Sequence, residues 1–235
     1  EHVLTYGVKD PEKGYLRKRF QYVYYDRPGR IVFLLRNDIT EEYQEQCRQK
    51  ERLRDALKNA RVDSLTGLYN RQAISREISR FLESPTCTRA VLLFMDLDDF
   101  KRINDTMGHR SGDYALRCVA DLFRHTLRAT DMVGRIGGDE FVALLTGISA
   151  KEGGVECAKR LCEAVGSMED PNLGGLRLSC SIGGAICPKD GTDYDTLFVK
   201  ADTAAYEAKR LGKNRYVFYT PGLELKNGYC TSSMS

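Results

Sequence analysis

Residues 132–146 read Met132-Val133-Gly134-Arg135-Ile136-Gly137-Gly138-Asp139-Glu140-Phe141-Val142-Ala143-Leu144-Leu145-Thr146. Two short apolar runs flank Gly137-Gly138, a tight-hairpin dipeptide, because glycine takes the positive φ such a turn demands. The spacing predicts antiparallel strands over 132–136 and 141–146. Asp139 and Glu140 are out of place in an ordinary hairpin, since they head a strand that is otherwise apolar enough to be buried.

A second acidic cluster lies upstream. Residues 90–95 form the longest unbroken apolar run of the chain and run into Asp96-Leu97-Asp98-Asp99. Carboxylates at the end of a buried strand are costly without compensation, and a hard divalent cation supplies it. An EF-hand is excluded, because its fifth loop position is here Phe100. Taken alone, the Asp96 cluster reads equally well as a helix N-cap, and the Gly-Gly acids as a turn. Together they are two carboxylate sources at neighbouring strand ends, the arrangement that holds one or two metals for phosphoryl displacement.

The rest of the chain alternates helix and strand signals. Asn70 is the expected N-cap of a helix with Ile74, Ile78, Phe81 and Leu82 on one face. Helices are expected over 99–107, 111–128, 151–168 and 195–211, a strand pair or one long strand over 176–187, and a last strand over 215–219. Helices packed on one sheet make an α/β domain the economical fold. Before it, residues 15–25 and 31–35 flank a Pro28-Gly29 turn and read as a hairpin. Two strands are not stable alone, so this pair is expected to belong to a larger sheet. Thr40, with Glu41 and Glu42 behind it, is the expected N-cap of a polar connector helix. Its seam (Ile39, Tyr43, Gln46, Lys50, Leu53, Leu57, Ala60) is a weak heptad. The expected organisation is therefore a β-hairpin unit over 1–38, a helical linker over 39–62, the main domain over 63–220 and a frayed tail over 221–235.

Composition narrows the classes. Of the net charge of +3, residues 1–62 hold +4 and residues 63–235 hold −1, so the main domain has no basic face for nucleic acid. An apolar run of about 20 residues, as a membrane span needs, is absent, and the start does not read as a signal peptide. The chain lacks an initiating Met and reads as part of something longer, with room for an anchor upstream. The eight cysteines form no Cys-x-x-Cys pair and no zinc-like spacing, and read as small buried hydrophobes in a reducing compartment.

Arg135-Ile136-Gly137-Gly138-Asp139-Glu140-Phe141 resembles the signature of the GGDEF family, the diguanylate cyclases. The resemblance extends through Asp63-Ser64-Leu65-Thr66-Gly67-Leu68-Tyr69-Asn70-Arg71, Asp96 to Asp105 with Gly108-His109 and Gly112-Asp113, Ser181-Ile182-Gly183, and Ala201-Asp202 to Lys209 with Gly212-Lys213-Asn214. It covers about residues 63–219. It implies a mostly antiparallel central sheet flanked by helices, of the palm or nucleotidyl-cyclase kind. It implies that Asp96, the carbonyl of Leu97, Asp139 and Glu140 hold Mg²⁺ or Mn²⁺, and that Asp139 or Glu140 assists deprotonation of the attacking 3′-hydroxyl. Lys101, Lys209 and Lys213 would meet the triphosphate, Gly137 and Gly138 would let it approach, and Asn104 and Asp113 would read guanine. A carboxylate accepts from guanine N1–H and N2–H₂, a donor pair adenine lacks.

The implied reaction joins two GTP into cyclic di-GMP with release of two pyrophosphates, one GTP held by each subunit of a homodimer. Arg128-Ala129-Thr130-Asp131 resembles the family's inhibitory Arg-x-x-Asp site for the cyclic di-GMP product, with Arg160 as a further contact. The N-terminal hairpin resembles the end of a PAS sensor domain. A cytoplasmic location is expected for the catalytic domain. The competing reading is a catalytically silent module that binds GTP or cyclic di-GMP, against which stands the intact set Asp96, Asn104, Asp113, Asp139 and Glu140. Another nucleotidyl cyclase or a palm polymerase is disfavoured by the closing Lys209 and Lys213 motif.

Overall fold

The structure is a computed structural model and describes residues 2–10, 14–23, 33–59, 61–85, 87–148, 151–175 and 177–223. The chain divides into two compact units, Glu1–Ala60 and Arg61–Ser235.

In the first unit, β1 (His2–Asp10), β2 (Gly14–Val23) and β3 (Phe33–Asp38) form an antiparallel sheet in that order. The sequence reading expects only two strands here. The third, β1, pairs with β2 from His2 opposite Tyr22 to Asp10 opposite Gly14. Its signal is the alternation of Leu4, Tyr6 and Val8. The expected turn over 26–30 lies outside the described residues. Helix α1 (Thr40–Asn59) follows. The carbonyl of Ile39 accepts from the Tyr43 amide at 2.8 Å, so the cap is Ile39, one residue before the expected Thr40.

The second unit is built on a five-stranded sheet in the order β5-β6-β4-β7-β8. Its strands are β4 (Ala90–Leu97), β5 (Met132–Gly137), β6 (Glu140–Thr146), β7 (Cys180–Cys187) and β8 (Arg215–Phe218). Every pairing is antiparallel except β7 with β8. The region 176–187 yields the single strand β7. Helices α2 (Arg71–Leu82), α3 (Phe100–Met107), α4 (His109–Thr126), α5 (Lys151–Gly166) and α6 (Tyr194–Arg210) cover the sheet.

β4 is central and buried along its whole length, which explains why its sequence is a continuous apolar run without polar alternation. Val91, Leu93 and Met95 enter one core with Phe123 of α4 and Leu161 of α5. Leu92 and Phe94 enter the other, with Ile74 and Ile78 of α2 and Leu197 and Ala201 of α6. Asn70 caps α2 as expected, its Oδ1 accepting from Ala73 N at 2.9 Å. Gly183 sets how closely α6 approaches the sheet: a Cβ there would overlap the Ala201 carbonyl and the Ala205 nitrogen. Among the described residues seven cysteines are free thiols, and no helix is long and apolar enough to cross a membrane.

Candidate active site

Antiparallel pairing places Asp96, near the end of β4, directly opposite Glu140 at the start of β6. The turn between β5 and β6 is tied down by the Leu97 amide, which donates to the Asp139 carbonyl at 3.2 Å. Asp96, Leu97, Asp139 and Glu140, which the resemblance groups at the metal, are thus neighbours at one corner of the sheet. Asp96 is only 7% exposed. Lys209 of α6 pairs with its Oδ2 at 2.6 Å, while Oδ1 is buried without a hydrogen-bond partner among the described residues. Burial pushes the Asp96 carboxyl up to about 6; Lys209 pulls it down, and Asp139 and Glu140 add to the rise. Burial also raises Glu140, helped by Asp139 and Asp202 and opposed by Lys209 and Arg71.

These groups fit a hard divalent cation. The orphaned Oδ1 is an acceptor that lacks a donor, and the neighbouring acids supply hard oxygens. Among the described residues no cluster of three or more His, Cys, Asp or Glu is arranged to hold an ion by itself. The fit is therefore to Mg²⁺ held by one or two carboxylates with phosphate oxygens completing the shell, as this small ion prefers. Gly137 and Gly138 are exposed, and a Cβ on either would meet nothing within 4 Å. Gly138 needs glycine for its φ of +45°, whereas no packing demands it at Gly137, which leaves the backbone open to a ligand.

Asn104 of α3 lies against Gly112 of α4, the residue before Asp113. A Cβ on Gly112 would overlap the Asn104 Oδ1, so the small residue beside Asp113 is what makes room for the amide. Lys213 reaches Asp99 Oδ1 at 2.6 Å, and this hydrogen bond holds the Asp99 carboxyl below its ordinary range. Lys101 is exposed on α3.

Three anchoring residues escaped the sequence reading. Asp98 is buried and accepts from Ser179 Oγ and Ser181 Oγ, each at 2.7 Å, and from the Asn214 amide at 3.0 Å. It thereby fixes the loop that presents Lys213. Asp63 and Arg135 are joined at 3.1 Å, and Arg135 Nε also donates to the Gly138 carbonyl at 2.9 Å. The signal for Asp98 was its place in an acid run, which does not say which acid turns inward.

Arg128 and Asp131 stand apart from this corner. They line a separate cavity of about 220 Å³ together with Glu156, Cys157 and Arg160. Asp131 has a structural task there. Its two oxygens accept from the Arg128 and Thr146 amides, both at 3.0 Å. Arg160 donates to the Thr126 carbonyl at 3.0 Å.

Comparison with known proteins gives a consistent result. The family model described as diguanylate cyclase, GGDEF domain, matches residues 60–215. The bifunctional diguanylate cyclase/cyclic di-GMP phosphodiesterase MucR of Pseudomonas aeruginosa is 37% identical over 170 residues, covering 71% of this chain and 24% of MucR. The probable diguanylate cyclase DgcC of Escherichia coli strain K12 is 36% identical over 157 residues, covering 65% of this chain and 42% of DgcC. This chain thus spans less than half the length of either relative. Among solved structures, the coiled coil and GGDEF domain of DgcB from Caulobacter crescentus, in complex with c-di-GMP, superposes with a TM-score of 0.69 at 28% identity. That match covers 77% of this chain and 96% of DgcB's.

Proposed function

This chain belongs to the GGDEF diguanylate cyclase family, and from that premise we propose that it condenses two GTP into cyclic di-GMP. In each half-reaction the 3′-oxygen of one GTP bonds to the α-phosphorus of the other. The bond from that phosphorus to the bridging oxygen breaks, pyrophosphate leaves, and the 3′-hydroxyl proton passes to a base. The observation that carries this reading is the corner where Asp96 faces Glu140, with an orphaned carboxylate oxygen near the exposed backbone of Gly137 and Gly138, where β5 ends and the turn begins.

Asp96, the Leu97 carbonyl and Asp139 are the groups we assign to Mg²⁺, with Glu140 beside them. When bound, the metal supplies positive charge to the phosphate oxygens and lowers the pKa of the attacking hydroxyl. Asp139 or Glu140 takes the proton, and burial, by raising the Glu140 carboxyl above its ordinary value, makes it the stronger base. Lys101, Lys209 and Lys213 neutralise the triphosphate, and Asn104 and Asp113 select guanine. One subunit presents one GTP, so ring closure takes a homodimer, and we place its control in α1. The first unit is proposed to be the end of a PAS-like sensor. We assign the domain to the cytoplasm, the compartment that supplies GTP. The cavity of Arg128, Asp131 and Arg160 supports feedback binding of the product.

The test is incubation with GTP and Mg²⁺, separating nucleotides by anion-exchange chromatography beside Asp139→Ala. Cyclic di-GMP from the parent and none from the variant is the expected result. GTP bound but unconverted, also when the chain is fused to a dimerising segment ahead of α1, would overturn the cyclase reading in favour of a silent binding module.

A further inference from the structure

Four carboxylates, those of Asp96, Asp139, Glu140 and Asp202, converge on one corner and influence one another electrostatically. Among the described residues the cation that touches this group directly is Lys209, through Asp96 Oδ2. Asp202 lies seven residues before Lys209 on α6, two turns back on the same helix face. It is half-buried, and no side chain among the described residues lies within hydrogen-bonding or ion-pairing distance of it. Gly183 lies opposite Phe94, two positions along β7 from the Ser181 that faces Asp96, and it lets α6 approach the sheet closely at Ala201 and Ala205, next to Asp202 in the chain.

Like charges gathered at a buried strand end are costly without a counter-ion. A lysine ammonium is a compact charge on a flexible stem, so it can occupy a cation's place and leave it without moving the backbone. A dication on the bare Oδ1 neutralises the carboxylate and repels an ammonium held on the neighbouring Oδ2, so metal loading loosens Lys209 from Asp96. An unpartnered carboxylate on the same helix face is ready to receive it.

We propose that Lys209 is the resident counter-ion of the acid corner and that Asp202 is its second partner, so that on metal loading the ammonium passes from Asp96 to Asp202. Asp202 is thus a positioning residue: it keeps Lys209 over the site, aimed at the triphosphate, once Asp96 is engaged. The proposal rests on the reading of Asp96 as the metal-facing carboxylate.

The test measures Mn²⁺ binding to the full chain without nucleotide, by electron paramagnetic resonance of the free ion. Lys209→Met removes the competing charge and keeps the aliphatic stem, so Mn²⁺ binds at least about fivefold tighter. Lys209→Arg keeps the charge and stays within about twofold of the parent, which separates charge from packing. Asp202→Asn strands the ammonium on Asp96 and weakens Mn²⁺ binding about threefold or more, an effect that vanishes in the Lys209→Met background. Unchanged or weaker binding in Lys209→Met overturns the proposal. An Asp202→Asn loss that persists in that background also overturns it, because Asp202 then acts on the ion by its own charge. Asp96→Asn separates the two levels: loss of Mn²⁺ binding upholds the metal site whatever Lys209 does, and unchanged binding overturns the site and the lysine exchange together.

Discussion

Arg135 Nη1 reaches both carboxylate oxygens of Asp63, at 3.1 and 3.2 Å, across 72 residues of chain. The same guanidinium donates through Nε to the Gly138 carbonyl. One side chain therefore ties the first turn of the domain to the turn that carries Asp139. Burial works against the Asp63 carboxylate, but hydrogen bonds from Thr66 and Arg135 outweigh it and hold its pKa below the ordinary value.

This pair should behave as a unit. Asp63→Asn and Arg135→Ala are each expected to cost about 1–3 kcal/mol, the worth of a partly buried charged hydrogen bond. The double variant should fall short of the sum by about 1 kcal/mol or more. Urea unfolding of the four proteins checks it, and strict additivity would break the link.

Asp96 should be a stability cost that the site tolerates. Its folded-state pKa of about 6 lies above the ordinary carboxylate value of 3.8. The folded protein thus binds more protons than the unfolded chain between these values, and stability falls as pH rises through that window. Asp96→Asn in EDTA should therefore unfold later at pH 7–8, by on the order of 2 kcal/mol. The gain should shrink as pH drops below 6 and vanish below about pH 4. Thermal melts across pH 4–8 read this directly, and a destabilised variant at pH 8 would contradict it.

Gly112→Ala should act on substrate recognition through Asn104. The new Cβ takes the place of the Asn104 Oδ1, and the amide must swing away. The KM for GTP should rise about tenfold, the worth of one lost hydrogen bond. In an Asn104→Ala background the same change should do little. A large effect in both backgrounds would point to damage of the α3–α4 junction instead.

The two halves of Arg128-x-x-Asp131 should separate experimentally. The Asp131 carboxylate holds two backbone amides, so Asp131→Ala should cost about 1–3 kcal/mol of stability. Arg128→Ala removes a cavity-lining cation whose backbone does the structural work, so its melting temperature should hold. Its product inhibition should need at least about tenfold more cyclic di-GMP. Equal melting losses in both variants would erase the distinction.

Much of this was readable from the chain, because local rules govern it. The Asn70 cap, the buried run of β4 and the Gly137-Gly138 hairpin each depend on residues a few positions apart. Pairing of β6, one strand of that hairpin, with β4 then follows once acids at both strand ends are noticed. The period-two signal of β1 is weak, because Val3 breaks the alternation of Leu4, Tyr6 and Val8. The cap at Ile39 differed by one residue because Thr40 entered the helix itself.

By itself the sequence determined the alternation of helices and strands, the acid-bearing strand ends and the motif order that marks the family. These are properties of neighbours along the chain. Only the tertiary structure decided that Asp98 rather than Asp99 turns inward, that Asp63 meets Arg135, and that Lys209 takes one oxygen of Asp96 and leaves the other bare. Each of these is a choice among several acids or cations of equal sequence standing. It is made by which side chain the packing of helices and loops against the sheet leaves within about 3 Å of a partner, the distance at which a hydrogen bond forms.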